Sequence, residues 1–264
     1  MKTLHVITTM DTGGAEMMLN KLVRAAENDK SQQMAILSLG RFGTLGAKLR
    51  EDGFEIHALE LRKSFHFLKL LFLRKRISFK PDVIQGWMYH GNVFATLIKY
   101  LAFPSAETGW SIRQSLSYYK EDKPMTRFII RLSAWLSFLP KAIIYNSYIA
   151  KEQHEDFGYS SKSSVVIPNG FNIEIFKPDN EMRSHIRQEL GLEPNHFVVG
   201  NISRNHPVKN FKLLVDAVLR VSDEIPEIRC LCIGRDTDRL MKFIPNKKSH
   251  LFRLIGECKK FGNT

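Results

Sequence analysis

The sequence predicts an α/β protein built from parallel β-sheets with crossover helices. Short β-type apolar runs alternate with helical stretches along the chain, an order that favours parallel strands joined by helices. The alternation restarts after residue 167, which indicates a second domain. With 264 residues, 44% hydrophobic and 25% charged, the composition is globular, so a disordered, collagen-like or purely coiled-coil chain is excluded.

The elements of the first half follow from the spacing of its apolar residues. Positions 15, 18, 19, 22, 23 and 26, for example, lie on one face of a helix. The predicted strands are 4–8, 34–39, 54–59, 108–112, 142–146 and 165–167. A further strand, the fourth in chain order, is predicted where residues 81–85 lead into it. The predicted helices are 15–28, 42–52, 64–78 and 92–101.

Turn residues mark the boundary between the two halves. Pro168-Asn169-Gly170 and Pro178-Asp179-Asn180 are typical of turns. We therefore predict an N-terminal domain over 1–167, a connection over 168–196 and a C-terminal domain over 197–264. Its predicted elements are a helix at 182–190, a strand at 197–202, a helix at 211–221, a strand at 229–233, a further helical stretch and a strand at 250–255. A doubly wound sheet has about six strands, so the second domain is expected to be incomplete.

Charge and cysteine content limit the partners and the compartment. The chain has 39 Lys and Arg against 27 Asp and Glu, a formal charge of +12, which attracts nucleotides, nucleic acid or anionic lipid. The start lacks the features of a signal peptide, and charged residues and a proline interrupt the apolar region 128–145, so no membrane-spanning helix is expected. Cys230 and Cys232 alternate within an apolar run, as reduced core residues of a cytoplasmic protein do.

Gly13 and Gly14 lie between the first strand and the first helix. Glycines at that place let a ligand approach the backbone, and the helix N terminus favours an anion, so a diphosphate or sugar site is one interpretation. A tight strand-to-helix turn is the other. No carboxylate follows the second strand, which disfavours a nicotinamide dinucleotide site.

A basic segment follows the first strand of the second domain. Arg204 can bind two phosphate oxygens, and Lys209 adds a second charge nearby. Ligands of open α/β sheets bind at the carboxyl ends of the strands, where both residues are expected. The alternative is a solvated basic loop.

Four segments in order resemble the retaining glycosyltransferases of family 4, also called group 1, which have the GT-B fold. They are residues 12–16, 85–92, 167–172 with Phe176 and Pro178, and 204–209. The resemblance implies two Rossmann-like domains, a nucleotide-sugar donor as substrate, an acceptor held mostly by the first domain, and neither a cofactor nor a metal.

The resemblance also implies roles for individual residues. Gly13 and Gly14 would approach the donor diphosphate, and Arg204 and Lys209 would neutralise it as UDP or GDP leaves. His90 would contact the transferred sugar, although a structural histidine at a loop remains the alternative. Trp87 departs from the histidine that related sequences often have three positions before His90. Asn169 and Gly170 would belong to the connection between the domains.

One family feature has no counterpart in this sequence. The family has two glutamates separated by seven residues late in the second domain. Glu181 and Glu189 have this spacing but precede the first strand of that domain, so we do not take them as the pair. We expect a fragment, a truncated gene or one subunit of a split enzyme, with weak or no activity on its own.

The sequence gives little indication of a metal site or of a hydrolase. Asp236-Thr237-Asp238 has the spacing of a metal-binding pair, but this fold needs no metal there. The sequence has no zinc-ligand spacing and no Gly-x-Ser-x-Gly elbow.

Residues 62–80 contain seven Lys or Arg and no acidic residue. One apolar face of this helix would pack on the sheet, and its cations would contact an anionic membrane surface. Nucleic acid is not expected as a partner, because no recognised binding module accompanies the charge.

We therefore predict a glycosyltransferase that moves a sugar from a nucleotide-sugar to a glycan or lipid-linked acceptor in surface polysaccharide biosynthesis. It would be cytoplasmic and peripheral at the inner face of the membrane. The alternative is a non-catalytic membrane-surface or interaction protein, either a remnant or one subunit whose second domain another polypeptide completes.

Overall fold

The structure is a computed structural model that describes residues 1–27, 29–61, 70 and 72–257. The chain divides into two compact units, unit 1 (Met1–Gly170) and unit 2 (Phe171–Thr264). Each unit has its own parallel sheet, so the predicted α/β class is confirmed. In the described part, no helix is both long and apolar enough to cross a membrane.

The described strands of unit 1 form one parallel sheet in the order β3-β2-β1-β4-β5-β6-β7. Their bounds are β1 Lys2–Ile7, β2 Gln33–Ser38, β3 Glu55–Ala58, β4 Val83–Trp87, β5 Glu107–Ile112, β6 Ala142–Tyr145 and β7 Ser164–Val166. The strand order reverses between β1 and β4, which is where open α/β sheets bind ligands.

Helices connect these strands. They are α1 Gly14–Ala25, α2 Gly43–Glu51, α3 Leu73–Arg76, α4 Met88–Ala102, α5 Pro124–Leu136 and α6 Tyr148–Asp156. Local chemistry begins several of them: proline starts α5, and the Ser147 hydroxyl accepts the Ala150 N–H at 3.1 Å at the start of α6.

Of the fifteen residues of the predicted helix over 64–78, seven, residues 64–69 and 71, lie outside the described residues. The described remainder contains α3. There Leu70, Leu73 and Ile77 are buried in the core of unit 1, while Arg74, Lys75 and Arg76 are exposed.

The sheet of unit 1 is buried on both faces, as parallel sheets with crossover helices are. Leu4 and Val6 of β1 pack in the cluster that includes residues of α3 and α4. Ile7 packs on the opposite side with residues of α1 and α2. The central position of β1 explains why the strand is buried from Thr3 to Ile7.

Helix α4 begins at Met88, four residues before the predicted start at residue 92. Two close backbone contacts permit this early start. A Cβ on Gly86 would lie 2.7 Å from the Asn92 N, and one on Gly91 would lie 2.5 Å from the Val6 carbonyl oxygen. The glycines therefore let the first turn of α4 pack directly on β1 and β4.

Unit 2 contains a three-stranded parallel sheet in its described part, in the order β10-β9-β8. Its elements are α7 Asn180–Glu189, β8 Phe197–Ile202, α8 Phe211–Val221, β9 Ile228–Ile233 and β10 Phe252–Ile255. Two 3₁₀ turns, Thr237–Phe243 and Asn246–Leu251, occupy the predicted further helical stretch. Cys230 and Cys232 are buried in this core as free thiols.

Candidate functional site

The glycine turn of unit 1 follows β1. Gly13 is the N-cap of α1 with extended backbone (φ −155°, ψ 172°), and Gly14 is the first helical residue. Gly13 itself has no side chain that could cap this helix end. A Cβ on Gly14 would meet no atom within 4 Å. The backbone at Gly14 therefore does not require glycine, and the exposed side of Gly14 is open space, whereas a Cβ on Gly13 would collide with the Glu16 carboxylate.

His90 lies in the first turn of α4, which directly follows β4. Strands β4 and β1 are neighbours in the sheet, so His90 lies at the same sheet edge as the turn that follows β1. Its side chain is half-buried, and burial lowers its pKa below the ordinary value. Near neutral pH the ring is uncharged, so it offers one donor and one acceptor. Met88, two residues earlier, has a positive φ of 62°, which is uncommon for a residue with a Cβ.

Trp87 ends β4 and is buried against β1. Its indole Nε1 donates a hydrogen bond to His5 Nδ1 at 3.2 Å. The indole can only donate, so the proton of neutral His5 lies on Nε2. Burial lowers the pKa of His5 to about 4. The residue that departs from the family pattern is thus a core residue that orients a second buried ring.

Arg113 is a cation at this edge that the sequence reading missed. It follows β5, and its Nε donates to Ser111 Oγ at 3.0 Å. Its Nη1 donates to the Ile167 carbonyl oxygen at 3.2 Å and to Asn169 Oδ1 at 3.0 Å. The guanidinium lies 5.3 Å from the centroid of the Trp87 ring.

Arg113 forms no salt bridge with any described carboxylate, and burial lowers its pKa. Its fork of donors ties the end of β5 to the segment after β7. The position was open to sequence reasoning, because Arg113 directly follows a predicted strand and Arg204 comes two residues after one.

A second feature missed from the sequence is a buried polar chain behind His90. The Tyr89 hydroxyl donates to His154 Nε2 at 2.8 Å, and His154 Nδ1 donates to the Ala150 carbonyl oxygen at 2.6 Å. Burial raises the pKa of Tyr89 and lowers that of His154 to about 4. Tyr89 is thereby locked in the first turn of α4, next to His90.

In unit 2, Arg204 and Lys209 follow β8 and are both exposed. The loop that carries Arg204 is hydrogen-bonded to the loop that follows β9. Asn205 N–H donates to the Arg235 carbonyl oxygen at 2.8 Å, and Asn205 Nδ2 donates to the Asp236 carbonyl oxygen at 3.0 Å. Neither cation pairs with a carboxylate among the described residues. Both charges therefore remain available to a ligand at the start of α8.

The structure thus groups the predicted site residues at two sheet edges. Gly13, Gly14 and His90 lie at the carboxyl edge of the unit 1 sheet, and Arg204 and Lys209 lie at the carboxyl edge of the unit 2 sheet.

The two rejected acidic pairs are surface features. Glu181 and Glu189 are both exposed on α7. Asp236 forms a salt bridge with Arg239 at 3.0 Å, and Asp238 is exposed. The described residues hold no group of three or more His, Cys, Asp and Glu that could bind a metal ion.

The family model named Glycosyltransferase Family 4 matches residues 12–175. The chain belongs to Glycosyltransferase Family 4. The resemblance inferred from the four segments is therefore confirmed at the level of the family.

Curated relatives agree with this assignment. A Bacillus subtilis protein named as a glycosyltransferase, EpsF, is 22% identical over 228 residues, 81% of this chain and 56% of that protein. The D-inositol 3-phosphate glycosyltransferase of Segniliparus rotundus is 33% identical over 69 residues, 26% of this chain and 15% of that protein. The chain therefore spans about half of EpsF and a smaller part of the second relative.

Solved structures share the fold. Anabaena Alr3699/HepE in complex with UDP has a TM-score of 0.77 at 19% identity, over 98% of this chain and 70% of that chain. A glycosyltransferase from Rickettsia africae has a TM-score of 0.68 at 16% identity, over 98% and 68%. These neighbours are GT-B glycosyltransferases, which confirms the predicted GT-B class.

Proposed function

We propose that the protein transfers a sugar from a nucleotide-sugar donor to a glycan or lipid-linked acceptor in surface polysaccharide biosynthesis. The observation that carries the proposal is membership of Glycosyltransferase Family 4 over residues 12–175. The HepE complexes with UDP and with UDP-glucose support a uridine nucleotide-sugar as the donor class.

Arg204 and Lys209 are the groups that we assign to the donor diphosphate. Both are exposed, follow a strand of a parallel sheet and have no described carboxylate partner. As the bond to the sugar breaks, negative charge grows on the diphosphate, and fixed cations stabilise that charge more than they stabilise the bound substrate. The two residues therefore favour departure of the nucleotide.

We also assign Gly13, Gly14 and His90 to the binding of the nucleotide-sugar donor. The open space over Gly14 leaves room for part of the donor beside the N terminus of α1. Neutral His90 would hydrogen-bond a hydroxyl of the transferred sugar, since a sugar offers both donors and acceptors. Retention of configuration at the sugar carbon remains a prediction.

The remaining proposals concern the location of the protein and its partners. We place the protein in the cytoplasm, peripheral at the inner face of the membrane, with the basic segment 62–80 on anionic lipid. Nine of the nineteen residues of that segment lie outside the described residues. Its described part contributes the exposed cations Arg74, Lys75, Arg76 and Lys80. A second polypeptide that adds strands to the sheet of unit 2 is a further proposal.

Calorimetric titration with UDP, GDP and ADP tests the donor site. We expect one of the three to bind, and Arg204→Ala to weaken its binding roughly tenfold or more, the cost of a charged hydrogen bond. Lys247→Ala is the matched control, because it removes the same charge from an exposed position of unit 2. No binding of any nucleotide to folded protein would overturn the assignment.

Gly14→Ala tests the open space. The added methyl group meets no protein atom, so the stability of the protein should not fall. A loss of nucleotide affinity would then come from contact with the ligand. Unchanged affinity would remove Gly14 from the site and leave Arg204 and Lys209 as its basis.

A further inference from the structure

Helix α5 exposes an apolar stripe along one side. Met125, Phe128, Trp135 and the adjoining Phe138 are 66%, 59%, 71% and 66% exposed. Phe128 and Trp135 are seven residues apart and so lie on the same side of the helix. Ile130 and Ser133 are buried on the opposite side. Single exposed apolar residues are ordinary on a protein surface, but three of them along one helix, with Phe138 two residues beyond its end, make an apolar patch.

The part of the sequence that carries this stripe has charge of one sign. From Lys123 to Lys151 the sequence has no Asp or Glu and five cations. Arg127 and Arg131 lie on α5 itself, and neither forms a salt bridge within the described residues. We call the four apolar residues together with Arg127 and Arg131 the α5 face.

Neighbouring elements extend the same chemistry. Helix α4 packs against α5 and exposes Tyr100 and Leu101 at its C-terminal end. Arg74 of α3 donates to the Ala102 carbonyl oxygen at that end of α4, and the preceding Phe72 is also exposed. Exposed aromatic residues and cations therefore also lie at the end of α4 and on α3.

We propose that the α5 face docks on the surface of an anionic lipid bilayer. Tryptophan and phenylalanine enter the boundary between headgroups and acyl chains, while arginines keep their charge among the headgroups and cover apolar surface with their stems. Each cation near an anionic surface adds attraction, and no acidic residue on α5 opposes it.

The shape of the α5 face favours lipid over a protein partner. Its side chains project from one convex helix, whereas a stable protein interface buries about 800 Å² on each side. A bilayer surface adapts to a ridge and needs no complementary groove. The proposal rests on the peripheral membrane location proposed above and assigns the contact to a second surface, but it does not depend on sugar transfer, because its test measures lipid contact.

Trp135 makes the test direct. The chain has three tryptophans, and Trp87 and Trp110 are 1% and 0% exposed. Quenching by acrylamide therefore reports Trp135. With vesicles of phosphatidylglycerol mixed with phosphatidylcholine, we expect a blue shift of the emission, protection from acrylamide and quenching by brominated acyl chains. Phosphatidylcholine vesicles alone should give a much smaller response, and salt should weaken the anionic response.

Two variants assign the contact to the α5 face. Phe128→Ser should weaken vesicle binding roughly tenfold, whereas the exposed Tyr148→Ser on α6 should leave it within about twofold. Arg127→Ser with Arg131→Ser should weaken it by at least an order of magnitude, roughly fivefold per cation. Lys48→Ser with Lys162→Ser removes the same charge from other exposed positions of unit 1 and is the control.

Three results would overturn the proposal. The first is vesicle binding with no change at Trp135, which would place the contact on another surface such as 62–80. The second is an equal loss of binding in a test variant and its control. The third is a Trp135 emission that shifts with protein concentration in the absence of lipid, which would show a second copy of the chain on the α5 face.

Discussion

At the scale of single residues, His5 and His154 place two titratable rings in the interior of unit 1. Burial lowers the pKa of each from 6.5 to about 4. Between these values the unfolded chain binds more protons than the folded one. Their contribution to the free energy of unfolding is therefore complete above about pH 6.5 and is lost as the pH falls towards 4.

We expect the free energy of unfolding to drop between pH 6.5 and pH 5 by roughly 1 kcal/mol per pH unit for each histidine. Urea unfolding at both pH values measures it. His154→Gln keeps a donor and an acceptor but cannot titrate, so it should reduce the pH dependence by about half. A variant with the full pH dependence of the wild type would contradict this explanation.

Arg113 offers a second prediction at this scale. Arg113→Lys keeps the charge but cannot bond Ser111, Ile167 and Asn169 together, because an ammonium has no planar fork. We expect the free energy of unfolding to fall by about 1–3 kcal/mol. Arg41→Lys, at an exposed position, should change it by less than about 0.5 kcal/mol. Equal effects of the two substitutions would show that the bonds of Arg113 contribute nothing.

At the scale of elements, the junction of β4 and α4 positions His90. Gly91 approaches the Val6 backbone of β1 so closely that no side chain fits. Gly91→Ala should therefore lower the free energy of unfolding by about 1–3 kcal/mol or displace the first turn of α4. Urea unfolding gives the first quantity, and the crystal structure of the variant gives the second.

Gly109→Ala is the matched control for this junction. Gly109 lies in β5, and a Cβ there would meet no atom within 4 Å. Its effect should be small, or slightly stabilising, because alanine reduces the freedom of the unfolded chain. If Gly91→Ala is as well tolerated as Gly109→Ala, close packing does not explain the early start of α4.

At the scale of the whole molecule, the two units differ in how completely their sheets are buried. The described part of unit 1 has three clusters of buried apolar residues, and that of unit 2 has one. Phe197 and Ile202 of β8 are exposed, whereas β1, a central strand of unit 1, is buried from Thr3 to Ile7. A smaller core stabilises a unit less against its loss of chain entropy.

We therefore expect unit 2 to unfold at a lower urea concentration than unit 1. All three tryptophans lie in unit 1, so tryptophan fluorescence reports that unit alone. Far-ultraviolet circular dichroism reports both units and should show an earlier transition that fluorescence lacks. Coincident transitions by the two probes would mean that the chain unfolds as one cooperative body.

The elements with a clear apolar period could be predicted from the sequence. Strand β8 and helix α8 were predicted with the bounds that the structure has, since each has a regular pattern between turn residues. Helices α5 and α6 were not predicted. The outer side of α5 is apolar as well as its inner side, so its helical period is hidden in the sequence.

Of the candidate site, the sequence could indicate residues that follow strands or glycine turns: Gly13, Gly14, His90, Arg204 and Lys209. It could not indicate the contact of Trp87 with His5 or of Tyr89 with His154, which join residues 82 and 65 positions apart. Such pairs depend on strand order and on the rotation of each helix, and neither is written in a local pattern.

The sequence by itself determined the α/β class, the position of most strands and the family, because these depend on apolar periodicity and on short motifs that act locally. Only the tertiary structure decided that Arg113 ties β5 to residues 167–169, that α4 starts against β1 and that α5 presents aromatic residues to the surface. These facts depend on which distant segments meet, and packing rather than local preference selects those contacts.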